Sequence, residues 1–295
     1  MRVSVGAGTY IVAVSGGVDS MVLLDLLNKR PGLKLIVAHY DHGIRDDSHL
    51  DRKLVQNVAK KHNLKFVHEK GELGPHASEA TARSARYEFL IKLRRASNAR
   101  AIITAHHQDD VLETAIMNLL RGSGRKGLTS LKSTDKLIRP LLGYSKKQLR
   151  DYAEEHSLAW REDKTNEDIK HMRNYIRHNV LTKFTDGQKA QLLILLDRLR
   201  ELNSEMDGHI TGLLHVQPAL NELDRQWFVG LPHDVAKEIL HSWLSRHKVR
   251  NINKKTVERL IVKIKTGKIG QILDVDNRYK IQIRKQSLAL VPIER

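Results

Sequence analysis

Cysteine is absent from the 295 residues. Its absence removes disulfides, thiolate metal sites, iron–sulfur clusters and any persulfide relay. Aromatic residues are scarce at 5%, so a stacking platform for single strands is not the leading binding mode. No apolar stretch approaches the roughly 18 residues of a membrane span. Residues 1–9 carry one basic residue and lead into a glycine turn rather than a signal-peptide core. A cytoplasmic protein with no membrane role is therefore expected. Acidic residues are also short: 34 Asp and Glu face 51 Lys and Arg, a net charge of +17 at pH 7. A field of that size either attracts a polyanion such as nucleic acid or belongs to a solvated basic surface.

Four apolar runs are present, "YIVAV" (10–14), "LKLIVAHY" (33–40), "LKFVH" (64–68) and "RAIITAHH" (100–107). Residues at helical spacing separate them, such as Val22, Leu23, Leu26 and Leu27. Short apolar runs alternating with helices predict an α/β fold, a doubly wound parallel sheet covered on both faces. The site of such a fold lies beyond the carboxyl ends of its strands. The four runs end at polar clusters, Ser15–Ser20, His39–Arg45, Glu69–Glu72 and His106–Asp110. Ser145 is an expected N-cap for a helix to about His156. After "FTDG" (184–187) the pattern is helical, with Leu192, Leu195, Leu196, Leu199 and Leu202 on one stripe. The chain then ends in alternating segments with a turn centred on Asp276 and Asn277. A boundary near 185 divides a catalytic domain, 1–185, from a basic, mainly helical second domain with terminal strands, 186–295.

"SGGVDS" (15–20) follows the first run directly and is neither a Walker A sequence nor a dinucleotide fingerprint. Gly16 and Gly17 permit a tight turn, and their N–H groups with those at Val18 and the helix start suit an anion. Ser15 and Ser20 add hydroxyls, and Asp19 either caps the helix or approaches a metal. Asp110 and Glu113, three apart at a helix start, share a face. They either bind a cation or simply favour the helix dipole. His106 and His107 are expected on opposite sides, one facing the site. His39 and Asp41 share a strand face, and Arg45 is a clamp or a solvated loop residue. Arg83 and Arg86 (i, i+3) lie beside Tyr87 on a helix. "RGSGRKG" (121–127) reads as a flexible basic loop offering Arg121, Arg125 and Lys126 to RNA. Arg173 and Arg177 are one helical turn apart, with Asn166 and Asp163 fixing the loop before them; Arg173 pairs with Asp163 or serves a ligand. From Arg246 to Lys285 thirteen Lys and Arg face three acids, a surplus suited to a nucleic-acid backbone.

The hexapeptide resembles the pyrophosphate loop of the N-type ATP pyrophosphatases. "AHYDHGIRDDS" (38–48), "ARSARYEFL" (82–90), "TAHHQDDVLETAIMNLLRGSGRKGL" (104–128), "RPLL" (139–142) and "DKTNEDIKHMRNYIRHNVL" (163–181) follow in the order of bacterial tRNA(Ile)-lysidine synthetases. The resemblance covers about 12–181. It implies that ATP adenylates O2 of the wobble cytidine in a tRNA(Ile) with a CAU anticodon. Free L-lysine then displaces AMP to give lysidine, which changes the codon read from AUG to AUA; pyrophosphate leaves in the first step.

The same resemblance implies nucleotide binding by residues 15–20 and His39, with catalysis by Asp41, Asp110, Glu113 and Arg173. It places lysine at Asp110 and Glu113, and tRNA at Arg83, Arg86, Arg121, Arg125, Lys126 and Arg177. Magnesium on Asp19 and Asp109 and a homodimer are also expected. Three rival readings are a tRNA thiolase, which the lack of cysteine disfavours, a small-molecule amidating ligase, and a non-catalytic RNA-binding protein.

Overall fold

A computed structural model describes all residues except 44–46, 72–73, 75–77, 163–171, 250–251 and 294–295. Arg45, Glu72, Asp163, Asn166 and Arg250 therefore lie outside the described residues. The chain forms two compact units, Met1–Arg200 and Glu201–Arg295.

The first unit alternates strand and helix. β1 (Gly8–Ala13), α1 (Val18–Asn28), β2 (Leu33–Asp41), α2 (Ser48–Lys61), β3 (Lys65–Lys70) and α3 (Glu79–Ala96) lead to β4 (Ala101–Ile103). α4 (Gln108–Leu120), α5 (Arg125–Leu128), β5 (Leu137–Ile138), α6 (Lys146–Glu155), α7 (Met172–Tyr175) and α8 (Asp186–His215) follow. The strands form one parallel sheet in the order β3-β2-β1-β4-β5, with Val12 opposite both Val37 and Ile103. β1 is buried on both faces. Tyr10 and Val12 pack with Val22, Leu23, Leu149 and Tyr152 from α1 and α6, whereas Ile11 packs with Phe89 and Leu90 from α3. Fully burying a leucine stabilises by roughly 1.5–3 kcal/mol, so Leu23 and Leu27, both at 0% exposure, hold α1 firmly on the sheet.

The fourth run gives a strand of only three residues, because the chain from Thr104 to His107 leaves the sheet for the cleft described below. The expected boundary near 185 coincides with the start of α8, and the division between units falls inside that helix. Leu192, Leu193 and Leu196 pack on Leu112, Ile176 and Leu181, whereas Leu195 and Leu202 of the expected stripe are exposed.

The second unit carries β6 (Glu222–Asp224), α9 (Arg225–Gly230), α10 (His233–Arg246), α11 (Lys254–Thr266), β7 (Ile272–Asp274), β8 (Tyr279–Ile283) and β9 (Ser287–Pro292). Its antiparallel sheet runs β6-β9-β8-β7 around a core of Phe228, Trp243, Leu260 and Ile281. Between β7 and β8 the Asp276 carboxylate accepts the N–H groups of Arg278 and Tyr279, forming the turn expected there.

The turn from β1 into α1 needs glycine at one of its two positions. Gly16 has φ +99°, and a Cβ there would lie 3.3 Å from Cβ of Asp51 in α2. Gly17 has φ −74° and ψ 158°, which any residue adopts. Gly16→Ala is therefore expected to destabilise the chain by roughly 1–3 kcal/mol, and Gly17→Ala to change stability by less than about 1 kcal/mol. Urea unfolding of the two variants checks this; equal losses would overturn it.

Candidate active site

The strand order reverses between the neighbours β1 and β4, β1 being followed by β2 on one side and β4 by β5 on the other, and a cleft of about 750 Å³ opens beyond their carboxyl ends. This is the switch point at which doubly wound sheets bind ligands. Ser15, Gly17, Asp19 and Ser20 line it from the β1 side, and His106, His107, Asp109, Asp110 and Glu113 from the β4 side.

The loop is braced from within. The N–H groups of Ser15 and Gly16 both donate to Ser20 Oγ at 3.2 Å, and Ser20 Oγ donates to the carbonyl of Gly17 at 2.8 Å. Gly16 N–H is thus already used, contrary to its expected role toward an anion. The first N–H groups of α1, on Val18 and Asp19, have no intrahelical acceptor and carry the positive end of the helix dipole. Arg161, which sequence reasoning missed, fixes the loop from the other side. Its N–H donates to Gly16 O at 3.0 Å, and its guanidinium reaches Asp51 at 2.7 Å and Asp47 at 2.9 Å.

Both histidines line the cleft, contrary to the expectation that one would pack away. His107 has an extended backbone at the start of α4, and its ring lies 3.6 Å from Asp19, 3.4 Å from Asp109 and 3.6 Å from Asp110. Burial lowers its affinity for a proton, but the carboxylates of Asp109, Asp19 and Asp110 beside the ring outweigh it and raise its pKa to about 10. Burial raises Asp19, yet His107 and Lys146 hold it at about 2. His106 behaves oppositely. Burial, opposed by Asp110 and aided by Arg139 and Arg83, pushes it well down, so its ring is neutral. Its Nδ1 meets Thr104 Oγ1 at 2.8 Å.

Asp110 and Glu113 do share a face, and α7 supplies what they hold. Arg173 Nε donates to Glu113 at 2.8 Å and its Nη2 to Asp110 at 3.3 Å. Arg177 donates twice to Glu113, at 2.6 and 3.0 Å, from a π-helical turn, Ile176–Val180. Glu113 is fully buried, and both of its oxygens are engaged. The carboxylate expected to meet lysine is thus already closed by two guanidinium groups. Asp110 accepts the N–H of His107 at 3.0 Å and stays partly open to the cleft. Burial raises its pKa, but His107 and Arg173 outweigh that and lower it.

His39 Nδ1 meets Val14 O at 2.9 Å, and burial lowers its pKa. Asp41 accepts from Gly43 N–H and Ser48 Oγ, each at 2.9 Å; burial raises it, but these donors bring it down. Arg86 lines the cleft, whereas the Arg83 guanidinium lies 4.8 Å from the Tyr87 ring.

Asp19 and Asp109, the expected magnesium ligands, both line the cleft and are both engaged by Lys146. Both oxygens of Asp19 lie 2.7 Å from Lys146 Nζ, and Asp109 accepts the Lys146 N–H at 2.9 Å. Among the described residues no cluster of three His, Asp or Glu stands where a metal is held.

Arg121, Arg125 and Lys126 do not line the cleft. Their loop is built rather than flexible. Ser123 N–H reaches Asn118 O, Gly122 N–H reaches Leu119 O, and the Asn118 amide donates to Gly127 O at 2.8 Å. In the second unit part of the basic surplus is structural. Arg259 donates to Asp274 O, Arg278 to Lys248 O and Lys265 to Leu231 O, while Lys280 pairs with Asp274 and Arg284 with Glu222. Lys254, Lys255, Lys263, Lys268 and Lys285 remain exposed.

The folded pKa of His107, about 10, lies above its ordinary 6.5. The stability it contributes is therefore complete below about 6.5 and lost as pH rises through about 10. Its loss has a limiting slope of about 1.4 kcal/mol per pH unit. His107→Asn is expected to be less stable at pH 7 and to flatten that decline. Parallel slopes for the two proteins in chemical unfolding from pH 7 to 10 would overturn the role.

The PP-loop domain family matches residues 2–184. A tRNA(Ile)-lysidine synthase of Lactiplantibacillus plantarum is 35% identical over 253 residues, 81% of this chain and 56% of that protein. One of Francisella tularensis is 28% identical over 291 residues, 95% of this chain and 73% of that protein. The chain thus spans little more than half of the first relative's length. Among solved structures, a U34-tRNA thiolase of Methanococcus maripaludis with its iron–sulfur cluster has a TM-score of 0.56 at 20% identity. It covers 67% of this chain and 74% of that one, and the likeness is one of fold. The family match takes in the braced turn, the whole parallel sheet and the cleft beyond it, and the chain belongs to the PP-loop domain family.

Proposed function

We propose that the chain uses ATP to join L-lysine to C2 of the wobble cytidine of a CAU-anticodon tRNA(Ile), forming lysidine. The observation that carries this reading is the quartet of Asp110, Glu113, Arg173 and Arg177, tied together around the buried Glu113. A phosphate cradle alone serves many reactions; a carboxylate open to the same cleft suits an amine co-substrate. The similarity to tRNA(Ile)-lysidine synthases supports the choice of amine and base.

ATP lies with its polyphosphate at the N–H groups of Val18 and Asp19. Cytidine O2 attacks the α phosphorus, the bond to the bridging oxygen breaks, and pyrophosphate departs. The exocyclic O2, a poor leaving group by itself, now carries the AMP group. The ammonium of free lysine is received by Asp110, which its neighbours keep ionised. After losing a proton to solvent the amine attacks C2, the C2–O2 bond breaks, and AMP leaves carrying O2 as one of its phosphate oxygens. Glu113 acts differently: it anchors Arg173 and Arg177, which face the phosphate being transferred. Arg86 at the cleft, with Arg83 behind it, and the built turn bearing Arg121, Arg125 and Lys126 receive the RNA backbone. Asp41 and His39, at the end of β2, form the wall for the nucleoside.

Incubation of the chain with a CAU-anticodon tRNA(Ile) transcript, ATP, magnesium and labelled lysine is expected to label the RNA and release AMP and pyrophosphate. Release of ADP, or no label in RNA, would reject the reading. Asp110→Asn is expected to raise the lysine KM about tenfold or more while ATP-dependent adenylation of the RNA persists. Glu113→Gln is expected to lower adenylation itself, because both arginines lose their anchor. Steady-state lysine kinetics and single-turnover adenylation separate the two, and identical behaviour of the variants would sink the division of roles.

A further inference from the structure

Lys146 opens α6, and the chain fixes its backbone twice. Ser145 and Gln148 form a reciprocal cap on the helix start, and the N–H of Lys146 donates to Asp109 at 2.9 Å. Its side chain crosses to α1, where Nζ lies 2.7 Å from each oxygen of Asp19. Both residues line the cleft, with side chains 38% and 26% exposed. A tie between α1 and α6 is already supplied elsewhere. Leu149, Tyr152 and Ala153 pack on Val22 and Leu26, and Tyr152 OH donates to Asp25 at 2.7 Å. A partly exposed ion pair adds little to such a contact. The position of the Lys146–Asp19 pair needs another reason.

Asp19 is the second residue of α1, and its carboxylate stands at the helix start that receives an anion. Two like charges there repel each other unless a cation lies between them. An ammonium has three donors, and Asp19 takes two of those on Lys146. We infer that Lys146 is a polyphosphate ligand of the cleft, with Asp19 as the positioning residue that aims it and the remaining ammonium donor for the incoming phosphate oxygen. This inference rests on the ATP reading above and deepens it. Because the ammonium stands at the loop rather than at the nucleoside wall, it serves the outer phosphates and discriminates ATP and pyrophosphate from AMP.

Titration calorimetry of the full chain with ATP, pyrophosphate and AMP, in EDTA and without RNA, tests the assignment. Lys146→Met is expected to weaken ATP and pyrophosphate about tenfold or more and AMP less than about twofold. Lys146→Arg, which keeps the charge, is expected to retain most of the ATP affinity. Equal weakening of ATP and AMP in Lys146→Met would show a general disturbance of the cleft and overturn the inference. Unchanged ATP affinity would overturn it as well. If Lys146→Met fails to fold, Lys146→Gln carries the same test: ATP weakened more than AMP supports the assignment, and equal weakening or none overturns it. Failure of the wild-type chain to bind ATP at all would instead remove the nucleotide reading, and the Lys146 role with it.

Discussion

His107 lies where the chain segments after β1 and β4 meet the start of α6, with three carboxylates within 3.6 Å of its ring. Each of those carboxylates has a second task. Asp19 holds the Lys146 ammonium, Asp109 caps the Lys146 backbone, and Asp110 takes Arg173. A neutral ring would leave these acids facing one another in a partly dry pocket, where like charges interact far more strongly than in water. The imidazolium lets them converge, and this convergence brings the β1–α1 turn, Asp110 and the Lys146 ammonium into one cleft. The proton on His107 is in this sense a structural element.

Glu113 poses the same problem on a deeper level. A fully buried carboxylate is tolerated only when its partners satisfy it closely, and here two guanidinium groups do so. The arginines are four apart, but the second comes from a π-helical turn. Such turns recur at functional sites, since one extra residue per turn redirects a side chain. The widened turn lets Arg173 and Arg177 converge on a single acid. The quartet carries two positive and two negative charges, so Glu113 is buried without a net charge in the group.

Much of the fold was legible in the order of apolar runs and glycine turns. "YIVAVSGGVDS" places a buried strand directly before a helix, and β1 and α1 follow it closely. The cap at Ser145 and the turn at Asp276 were legible for the same local reason, because a short polar side chain bonds its own backbone. Pairings across the sheet were not. Nothing near Lys146 in the sequence points to Asp19, and nothing near Arg161 points to Gly16 or Asp51. These contacts arise only when β5 is laid beside β4 and the chain beyond α6 returns over the phosphate turn. The roles of Asp110 and Glu113 looked alike in sequence because both are acids in the first turns of one helix. Burial separates them in degree, since Glu113 is fully enclosed by two arginines whereas 13% of the Asp110 side chain is exposed.

Charge is distributed with the same economy. The whole chain carries a formal +17, yet seven carboxylates among the cleft-lining residues are met by six Lys and Arg and the His107 imidazolium. The positive surplus therefore lies outside the cleft. A field spread over the surface raises the encounter rate with any polyanion and is indifferent to its sequence. A balanced cleft does not trap phosphates merely for their charge. Inside it an anion is favoured where donors converge, at the start of α1, and an ammonium where Asp110 stays open. Attraction and selection thus fall to different parts of the chain, and removing surface lysines weakens the first without rewriting the second.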